Sequence, residues 1–171
     1  MGSAGGGSRT FAIDGSAVGP RADLPAAGLI QDPSGNLYGT TQYGGDVSRE
    51  SNDIEGCGAV FRVNRSGGET VLYSFTGGGG RRMSPYAGVI QDKLGNLYGT
   101  ASIGGANNGG TLFELDPSGT LTVLYSFNSK VGGRDGEGPE GDLLLSPAGN
   151  LYGVTSHGGA HQSGVVFEIM M

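Results

Sequence analysis

The chain is poor in the residues and patterns that would assign it to several common classes of protein. Its one cysteine is Cys57, so no disulfide can form within the chain. No apolar run reaches the ~18 residues of a membrane-spanning helix, and the N-terminus lacks the basic and then apolar pattern of a signal peptide. The 10 Lys and Arg are outnumbered by 16 Asp and Glu, which leaves no basic stripe for a phosphate backbone. We therefore expect neither a nucleic acid nor a membrane as partner.

Glycine, by contrast, is abundant, with 37 of the 171 residues. These glycines follow neither a collagen-like period nor a monotonous tract but recur in fixed contexts, which is typical of turns. Residues 2–8 (GSAGGGS) read as a flexible linker or an expression scar, so we place 1–8 outside the fold. The remaining residues, 9–171, are predicted to form one repeat domain.

Three motifs recur along the chain in one order. The motif GNLYG starts at positions 35, 95 and 149. The segments around its first two copies, 27–40 and 87–100, agree at eleven of fourteen positions. An apolar motif around a phenylalanine follows at 59–63, 111–115 and 165–169, and the motif VLYSF at 71–75 and 123–127. A conserved order of three motifs indicates tandem copies of one structural unit.

Each unit reads as four short strands, called A to D here. In the first unit they are GLIQ, NLYGTT, AVFRV and TVLYSF, rich in β-branched and aromatic residues. Four antiparallel strands repeated every 52 to 60 residues predict the blades of a β-propeller. A β-solenoid is the alternative, although its coils are usually shorter. We predict an all-β, propeller-like chain of three four-stranded blades, with 9–75 holding an N-terminal strand and the first blade, 76–127 the second and 128–171 the third.

In this sequence no D segment follows the C strand of the third unit. Arg9–Ile13 (RTFAI) is β-like, and thirteen residues separate it from Ala27, as thirteen separate Phe127 from Gly141. We therefore predict that this N-terminal strand completes the last blade, within a ring or between chains. Three blades are fewer than the ~4 to 8 of usual rings. The expected closure is a homodimer of six blades, with a symmetric trimer or tetramer as alternatives.

The order of GNLYGT, a Gly-Gly pair, an apolar-Phe strand and VLYSF resembles the GloVer tandem repeat of bacterial proteins, over roughly residues 9–171. The resemblance implies the repeat architecture. It also implies a secreted or surface-anchored protein, and so an extracytoplasmic location. It implies no reaction and no catalytic set, because none is established for that family.

A propeller places its two kinds of loop on opposite faces, which decides where a site is expected. The D-to-A and B-to-C connections share one face, and here they are the long and variable ones. The A-to-B and C-to-D connections on the other face are tight turns. We call these the long-loop face and the tight-turn face. Because functional residues usually lie on loops held by a rigid scaffold, we predict the site on the long-loop face, around its central opening.

The two histidines of the chain, His157 and His161, lie four residues apart in one of these long loops. Imidazole is the commonest metal ligand, so this pair and Asp135 are candidate ligands for Zn²⁺, Mn²⁺ or Ca²⁺. A pair of solvated loop histidines is the alternative interpretation. Other carboxylates on the same face could complete a site: Glu137, Glu140 and Asp142, and Asp46, Glu50, Asp53 and Glu55.

Three residues of the third unit are candidate catalytic groups. Asp142 replaces Gly28 and Gly88 of the other units at the start of the innermost strand, which predicts a place near the channel mouth. Glu140 and Arg134 flank it in the same connection. Asp142 or Glu140 would act as a base, and Arg134 would neutralise a leaving group.

Arginines and tyrosines of the long loops are candidate ligand contacts. Arg81 and Arg82 could hold an anionic group, and Tyr43 and Tyr86 could contact a sugar ring. Cys57 could be a nucleophile with a histidine as base, but no local motif supports this, and an unreactive loop thiol is the alternative. The recurrent aspartates Asp32 and Asp92 and the serine at the same place, Ser146, are predicted to cap their turns.

Two functions fit these features. The first is a repeat module that binds a glycan or protein ligand through its long-loop face. The second is a metal-dependent hydrolase of phosphoester, sulfate-ester or lactone bonds, with the histidines and a carboxylate around the metal. The loops differ between units, with histidines in the third and an acidic insertion in the first. An active site needs such unlike groups, so the hydrolase stays open as the alternative to the binding module.

Overall fold

The computed structural model describes residues 25, 27–45, 56–76, 84–128 and 135–171. Within this part the chain consists of antiparallel sheets of short strands joined by turns. No helix in the described residues is long and apolar enough to span a membrane. The prediction of an all-β, propeller-like fold is confirmed.

The first two repeat units each form a four-stranded sheet, called blade 1 and blade 2, whose strands lie side by side in chain order. The strands of blade 1 are β1 (Ile30–Gln31), β2 (Leu37–Thr41), β3 (Ala59–Val63) and β4 (Glu69–Ser74). The strands of blade 2 are β5 (Ile90–Gln91), β6 (Leu97–Ala101), β7 (Asn108–Leu115) and β8 (Leu121–Asn128). They correspond to strands A to D of the predicted units.

The third unit forms a three-stranded sheet, called blade 3, and a separate two-stranded ribbon. The remaining strands are β9 (Gly136–Glu137), β10 (Leu144–Leu145), β11 (Leu151–Val154), β12 (His157–Gly158) and β13 (Val166–Ile169). Blade 3 has the order β10-β11-β13, and β9 pairs with β12. Arg9–Ile13 lies outside the described residues, so completion of blade 3 by this segment stays a prediction, as do the blade boundaries.

The turns between the first two strands of each blade are held by their first polar residue. Asp32 Oδ1 accepts the amide of Asn36 at 2.8 Å, and Asp92 Oδ1 accepts the equivalent amide at 2.9 Å. In blade 3 the hydroxyl of Ser146 accepts it at 3.0 Å. The predicted capping role of these three residues is confirmed. The side-chain hydrogen bond from Asn36 is the largest of several that lower the pKa of Asp32.

Neighbouring blades pack through two apolar cores. The core between blades 1 and 2 contains Tyr38, Cys57, Val60, Phe75, Val89, Leu97, Phe113 and Leu115. The core between blades 2 and 3 contains Tyr98, Leu112, Phe127, Leu143 and Leu151. In each, a phenylalanine at the end of one blade's D segment meets a C-strand phenylalanine of the next blade. The ring centroids are 5.3 Å apart for Phe75 and Phe113 and 5.0 Å apart for Phe127 and Phe167.

The glycine of the recurrent LYG triplet is required by the strand beside it. A Cβ at Gly99 would lie 2.6 Å from the Cζ atom of Phe113, and a Cβ at Gly39 would lie 2.7 Å from that of Phe61. Real Cβ atoms do not approach this closely, because protein interiors are close-packed. The GNLYG motif and the apolar-Phe motif therefore form one packing unit, in which the phenylalanine ring packs directly on the backbone of the glycine.

Cys57 lies in the core between blades 1 and 2 and is only 2% exposed. It precedes strand β3, in the loop where the sequence analysis placed it, but its thiol is buried. Burial among apolar side chains makes it a packing residue, since a reactive cysteine needs access and a stabilised thiolate.

Candidate ligand site on the long-loop face

A cavity of about 340 Å³ opens on the long-loop face between blades 2 and 3. The residues that line it are Tyr86, Ser102, Ile103 and Asn108 from blade 2 and its loops, and Glu137, Gly138, Glu140, Ser156 and His157 from blade 3 and its loops. Of the sequence candidates, Tyr86, Glu137, Glu140 and His157 are thus brought together.

The cavity lies where variable positions of two neighbouring repeats meet. The residue before the Gly-Gly pair is Tyr43 in blade 1, Ile103 in blade 2 and His157 in blade 3. The residue four before the start of the innermost strand is Tyr86 in blade 2 and Glu140 in blade 3. Both positions of blade 2 and both of blade 3 line the cavity. Equivalent backbone positions of the two blades thus place different side chains in the cavity wall.

The ribbon of β9 and β12 fixes His157 in this wall. His157 lies opposite Glu137, and Gly158 lies opposite Gly136. The amide of Gly159 also donates to the carbonyl of Asp135 at 3.0 Å. Gly158 has a φ of 90°, and a Cβ there would collide with the Asp135 carbonyl, so only glycine fits. The Gly-Gly pair therefore allows the D-to-A and B-to-C connections of blade 3 to join.

A hydrogen-bond chain orients the imidazole of His157. The hydroxyl of Ser156 donates to the carbonyl of Gly138 at 3.0 Å, and its Oγ lies 2.9 Å from Nδ1 of His157. A serine hydroxyl has one hydrogen, so Oγ accepts from Nδ1–H when it donates to Gly138. The neutral imidazole then carries its proton on Nδ1, which leaves Nε2 as a hydrogen-bond acceptor.

The charged groups that line the cavity in the described residues are carboxylates. Glu137 is half-buried and Glu140 is exposed, and no described Lys or Arg lines the same cavity. Tyr86, at 41% exposure, presents an aromatic ring beside these acceptors. The wall therefore combines an apolar surface with several hydrogen-bond acceptors.

Asn108 is a further wall residue that sequence reasoning missed. It has a φ of 64°, a left-handed conformation that asparagine tolerates better than most residues. Its Oδ1 atom is buried, with no hydrogen-bond partner in the described part of the chain. Nothing in the sequence distinguishes Asn108 as a site residue, because an asparagine before a Gly-Gly pair is usually only part of a turn.

Asp135 makes two hydrogen bonds outside the cavity. Its Oδ2 accepts the hydroxyl of Tyr125 at 2.9 Å, and its Oδ1 accepts the amide of Gly136 at 3.0 Å. Burial first, and then the hydrogen bond to Asp135, raise the pKa of Tyr125. Asp135 therefore ties the start of the ribbon to strand β8 of blade 2 and does not line the cavity.

Asp142 and His161 lie apart from the other candidates. Asp142 Oδ1 accepts the amide of Gly88, two residues before the innermost strand of blade 2, at 3.3 Å. This contact places it where the innermost strands of blades 2 and 3 meet. His161 is exposed in the loop after β12, where its carbonyl accepts the hydroxyl of Ser163 at 3.2 Å. Neither residue lines the cavity.

No three His, Cys, Asp or Glu side chains of the described residues are grouped so that they could hold a metal ion. A metal bound jointly by His157, His161 and Asp135 therefore has no supporting geometry here, and Zn²⁺, Mn²⁺ or Ca²⁺ binding stays a prediction. Arg81, Arg82 and Arg134 lie outside the described residues. Tyr43 is half-buried in the first unit and does not line the cavity between blades 2 and 3.

Two larger cavities lie on the tight-turn face. One, of about 420 Å³, lies between blades 1 and 2, and another, of about 680 Å³, lies between the innermost strands. The carboxylates at the first, Asp32, Asp92 and Asp116, are already engaged by donors of their own turns. The second is lined largely by apolar and turn residues. The smaller cavity is therefore the stronger candidate, because no donor in the described part of the chain engages the carboxylates of Glu137 and Glu140.

Comparison with known proteins agrees with the repeat architecture. A family model described as the Gloeobacter/Verrucomicrobia repeat matches residues 25–171. No curated protein sequence matches the chain. Among solved structures, an X-ray structure of a protein provisionally named as a gluconolactonase is similar, with 14% identity and a TM-score of 0.43. The match covers 81% of this chain and 45% of that one, so the chain spans less than half of the length of that structure. The match to the family model extends over most of the sequence, and the chain belongs to the Gloeobacter/Verrucomicrobia repeat family.

Proposed function

We propose that the chain is a binding module that takes a glycan in the cavity between blades 2 and 3. The observation that carries the proposal is the meeting of Tyr86 with Glu137, Glu140 and His157 in one wall. A pyranose has an apolar face that stacks on an aromatic ring and hydroxyls that donate to carboxylates and to an imidazole nitrogen. Tyr86 supplies the first kind of contact and the other three supply the second.

The size and rigidity of the site suit a small ligand. The volume of about 340 Å³ is at the lower end of the ~300–1,000 Å³ typical of ligand pockets, so it suits one or two sugar units. The ribbon and the Ser156 hydrogen bond hold His157 before a ligand arrives. Preorganisation of this kind lowers the entropy cost of binding. A protein ligand that binds through a flat surface would not enter this narrow, polar cavity.

The hydrolase alternative has less support. Phosphoester and sulfate-ester substrates are anionic, whereas the described charged residues of the cavity are two glutamates. Like charges disfavour binding of such substrates. The described residues also lack a grouped metal-ligand set. The cavity therefore favours binding over hydrolysis of phosphoesters and sulfate esters, and a lactone substrate is left to the test below.

The test is a glycan array probed with the labelled chain, followed by titration calorimetry with the oligosaccharides that bind. We expect Tyr86→Ala to weaken binding roughly 10-fold, since an aromatic contact contributes about 0.5–1.5 kcal/mol beyond its buried area. Leu94→Ala changes an exposed residue of the tight-turn face and is the control. No glycan binding, or equal binding by wild type and Tyr86→Ala, would contradict the proposal. Turnover of an ester or lactone that depends on His157 would favour the hydrolase instead.

A further inference from the structure

Each blade has two sides, and the structure contains the contact between them twice. We call the side that meets the following blade the leading side. In blade 1 it includes Tyr38, Val60 and Phe75, and in blade 2 Tyr98, Leu112 and Phe127. We call the opposite side the trailing side. In blade 2 it includes Val89, Leu97 and Phe113, and in blade 3 Leu143, Leu151 and Phe167.

The leading side of blade 3 is open in this chain. Val166 is 78% exposed, whereas Val60 and Leu112, at the same place in blades 1 and 2, are both 0% exposed. On the neighbouring strand Val154 is 46% exposed, whereas the threonines at the same place, Thr40 and Thr100, are 3% and 1% exposed. Positions that the repeat buries twice are thus presented to water in the third copy.

Among the described residues, the edge of blade 3 is open as well. Strands β3 and β7 each pair on both sides, but β13 (Val166–Ile169) pairs in the described residues with β11 alone. An unpaired edge presents a row of amide and carbonyl groups that accept another strand. Met170 beside it is 81% exposed. Apolar surface next to an open strand edge is typical of an interface.

The trailing side of blade 1 presents a smaller complementary feature. Leu29 is 53% exposed, whereas Val89 and Leu143, at the same place in blades 2 and 3, are 2% and 7% exposed. Phe61 and Val63 on this side are buried. The apolar surface that blade 1 exposes on its trailing side is therefore that of Leu29, next to its innermost strand.

We propose that the leading side of blade 3 binds the trailing side of blade 1 of a second copy, which repeats the contact that already joins blades 1 to 2 and 2 to 3. A second copy is the occupant that the structure supports, because Val166 and Leu29 are exposed at positions that the repeat elsewhere buries between neighbouring blades. In each copy, the leading side of blade 3 would contact one side of the partner, and the trailing side of blade 1 would contact the other. Two copies then form a ring joined by two identical contacts.

The proposal is tested by the mass of the full chain in solution, measured by light scattering over a range of concentrations. The chain has a mass of 17.2 kDa, and we expect twice that value. Val166→Lys places a charge in the contact and should convert the protein to 17.2 kDa. Val123→Lys is the matched control, because Val123 is an exposed valine of β8 outside the contact, and it should keep the doubled mass.

A second variant tests the orientation. Leu29→Lys should also give the monomer, because blade 1 of one copy meets blade 3 of the other. Circular dichroism shows whether each variant keeps its strands. A wild-type monomer at every concentration would overturn the proposal. A dimer that Val166→Lys breaks and Leu29→Lys leaves intact would overturn it too, because the two blades 3 would then meet each other.

Discussion

The hydroxyl Oγ of Ser156 lies 2.9 Å from Nδ1 of His157 and donates its own hydrogen to the carbonyl of Gly138. This relationship joins the two long connections of blade 3, since Gly138 belongs to one and His157 to the other. It sets the direction in which the imidazole offers Nε2. We expect the side chain of Ser156 to matter for ligand binding, although it is a small residue of a loop.

Ser156→Ala should weaken glycan binding about 5- to 10-fold. The change removes the hydrogen bonds to Gly138 and His157, and a typical hydrogen bond contributes a net ~0.5–1.5 kcal/mol. Titration calorimetry with the bound oligosaccharide measures the effect. Ser118→Ala, in a tight turn of blade 2, is the control. An unchanged affinity for Ser156→Ala would show that the imidazole needs no such support.

Gly158→Ala should disrupt the ribbon of β9 and β12. The residue has a φ of 90°, and an added Cβ would collide with the carbonyl of Asp135. We expect a loss of roughly 1–3 kcal/mol of unfolding free energy and a larger relative loss of glycan binding, because His157 is next to the altered residue. Denaturant titration and calorimetry on one sample separate the two effects. Full binding by a folded Gly158→Ala protein would contradict the role of the ribbon.

Gly99→Ala should destabilise blade 2. The new Cβ would lie 2.6 Å from Cζ of Phe113, whose ring is fully buried, so the core must shift at a cost of about 1–3 kcal/mol. Gly28→Ala is the matched control, because a Cβ there has no atom within 4 Å. Urea unfolding of both variants checks this. Equal midpoints would mean that the LYG glycine is not a packing requirement.

The turn carboxylates predict a sensitivity to acid. Hydrogen bonds, with the one from the Asn36 side chain first, hold the pKa of Asp32 below its ordinary value of 3.8. A lowered pKa in the folded state means stabilisation that is present above the unfolded value and is lost as the pH falls through the folded value. Asp32→Ser, which copies Ser146 of blade 3, keeps an acceptor that does not titrate.

We therefore expect the wild type to lose more stability than Asp32→Ser when the pH is lowered from about 5 to about 2. Urea midpoints at several pH values measure this difference. If both proteins lose stability in parallel, the carboxylate of Asp32 contributes nothing specific to the acid response.

Much of the fold follows from the repeat itself. The strands around Tyr38 and Phe61 bury most of their side chains, as their apolar composition predicts. The Asp32 and Asp92 turns are local structures held by hydrogen bonds to nearby residues. Such features need no knowledge of distant contacts, so sequence reasoning identifies them.

The site was only partly predictable, because its geometry depends on pairing between loops. His157, Glu140 and Tyr86 could be proposed from their place in variable loops, but the two-residue strands of the ribbon are too short to show alternation. Their pairing diverts Asp135 towards Tyr125. A comparison of repeat-equivalent positions would have helped, since Tyr43, Ile103 and His157 share one place. Asn108 carried no distinctive signal.

The most direct test of the account is the crystal structure or calorimetric titration of the chain with a glycan identified on the array, compared between wild type and Glu140→Gln. The carboxylate accepts sugar hydroxyls more strongly than the amide does. We predict a sugar stacked on Tyr86 with its hydroxyls at Glu137, Glu140 and His157, and weaker binding by the variant, while Glu168→Gln binds as wild type. A glycan bound elsewhere, or bound equally by Glu140→Gln, would contradict the central claim.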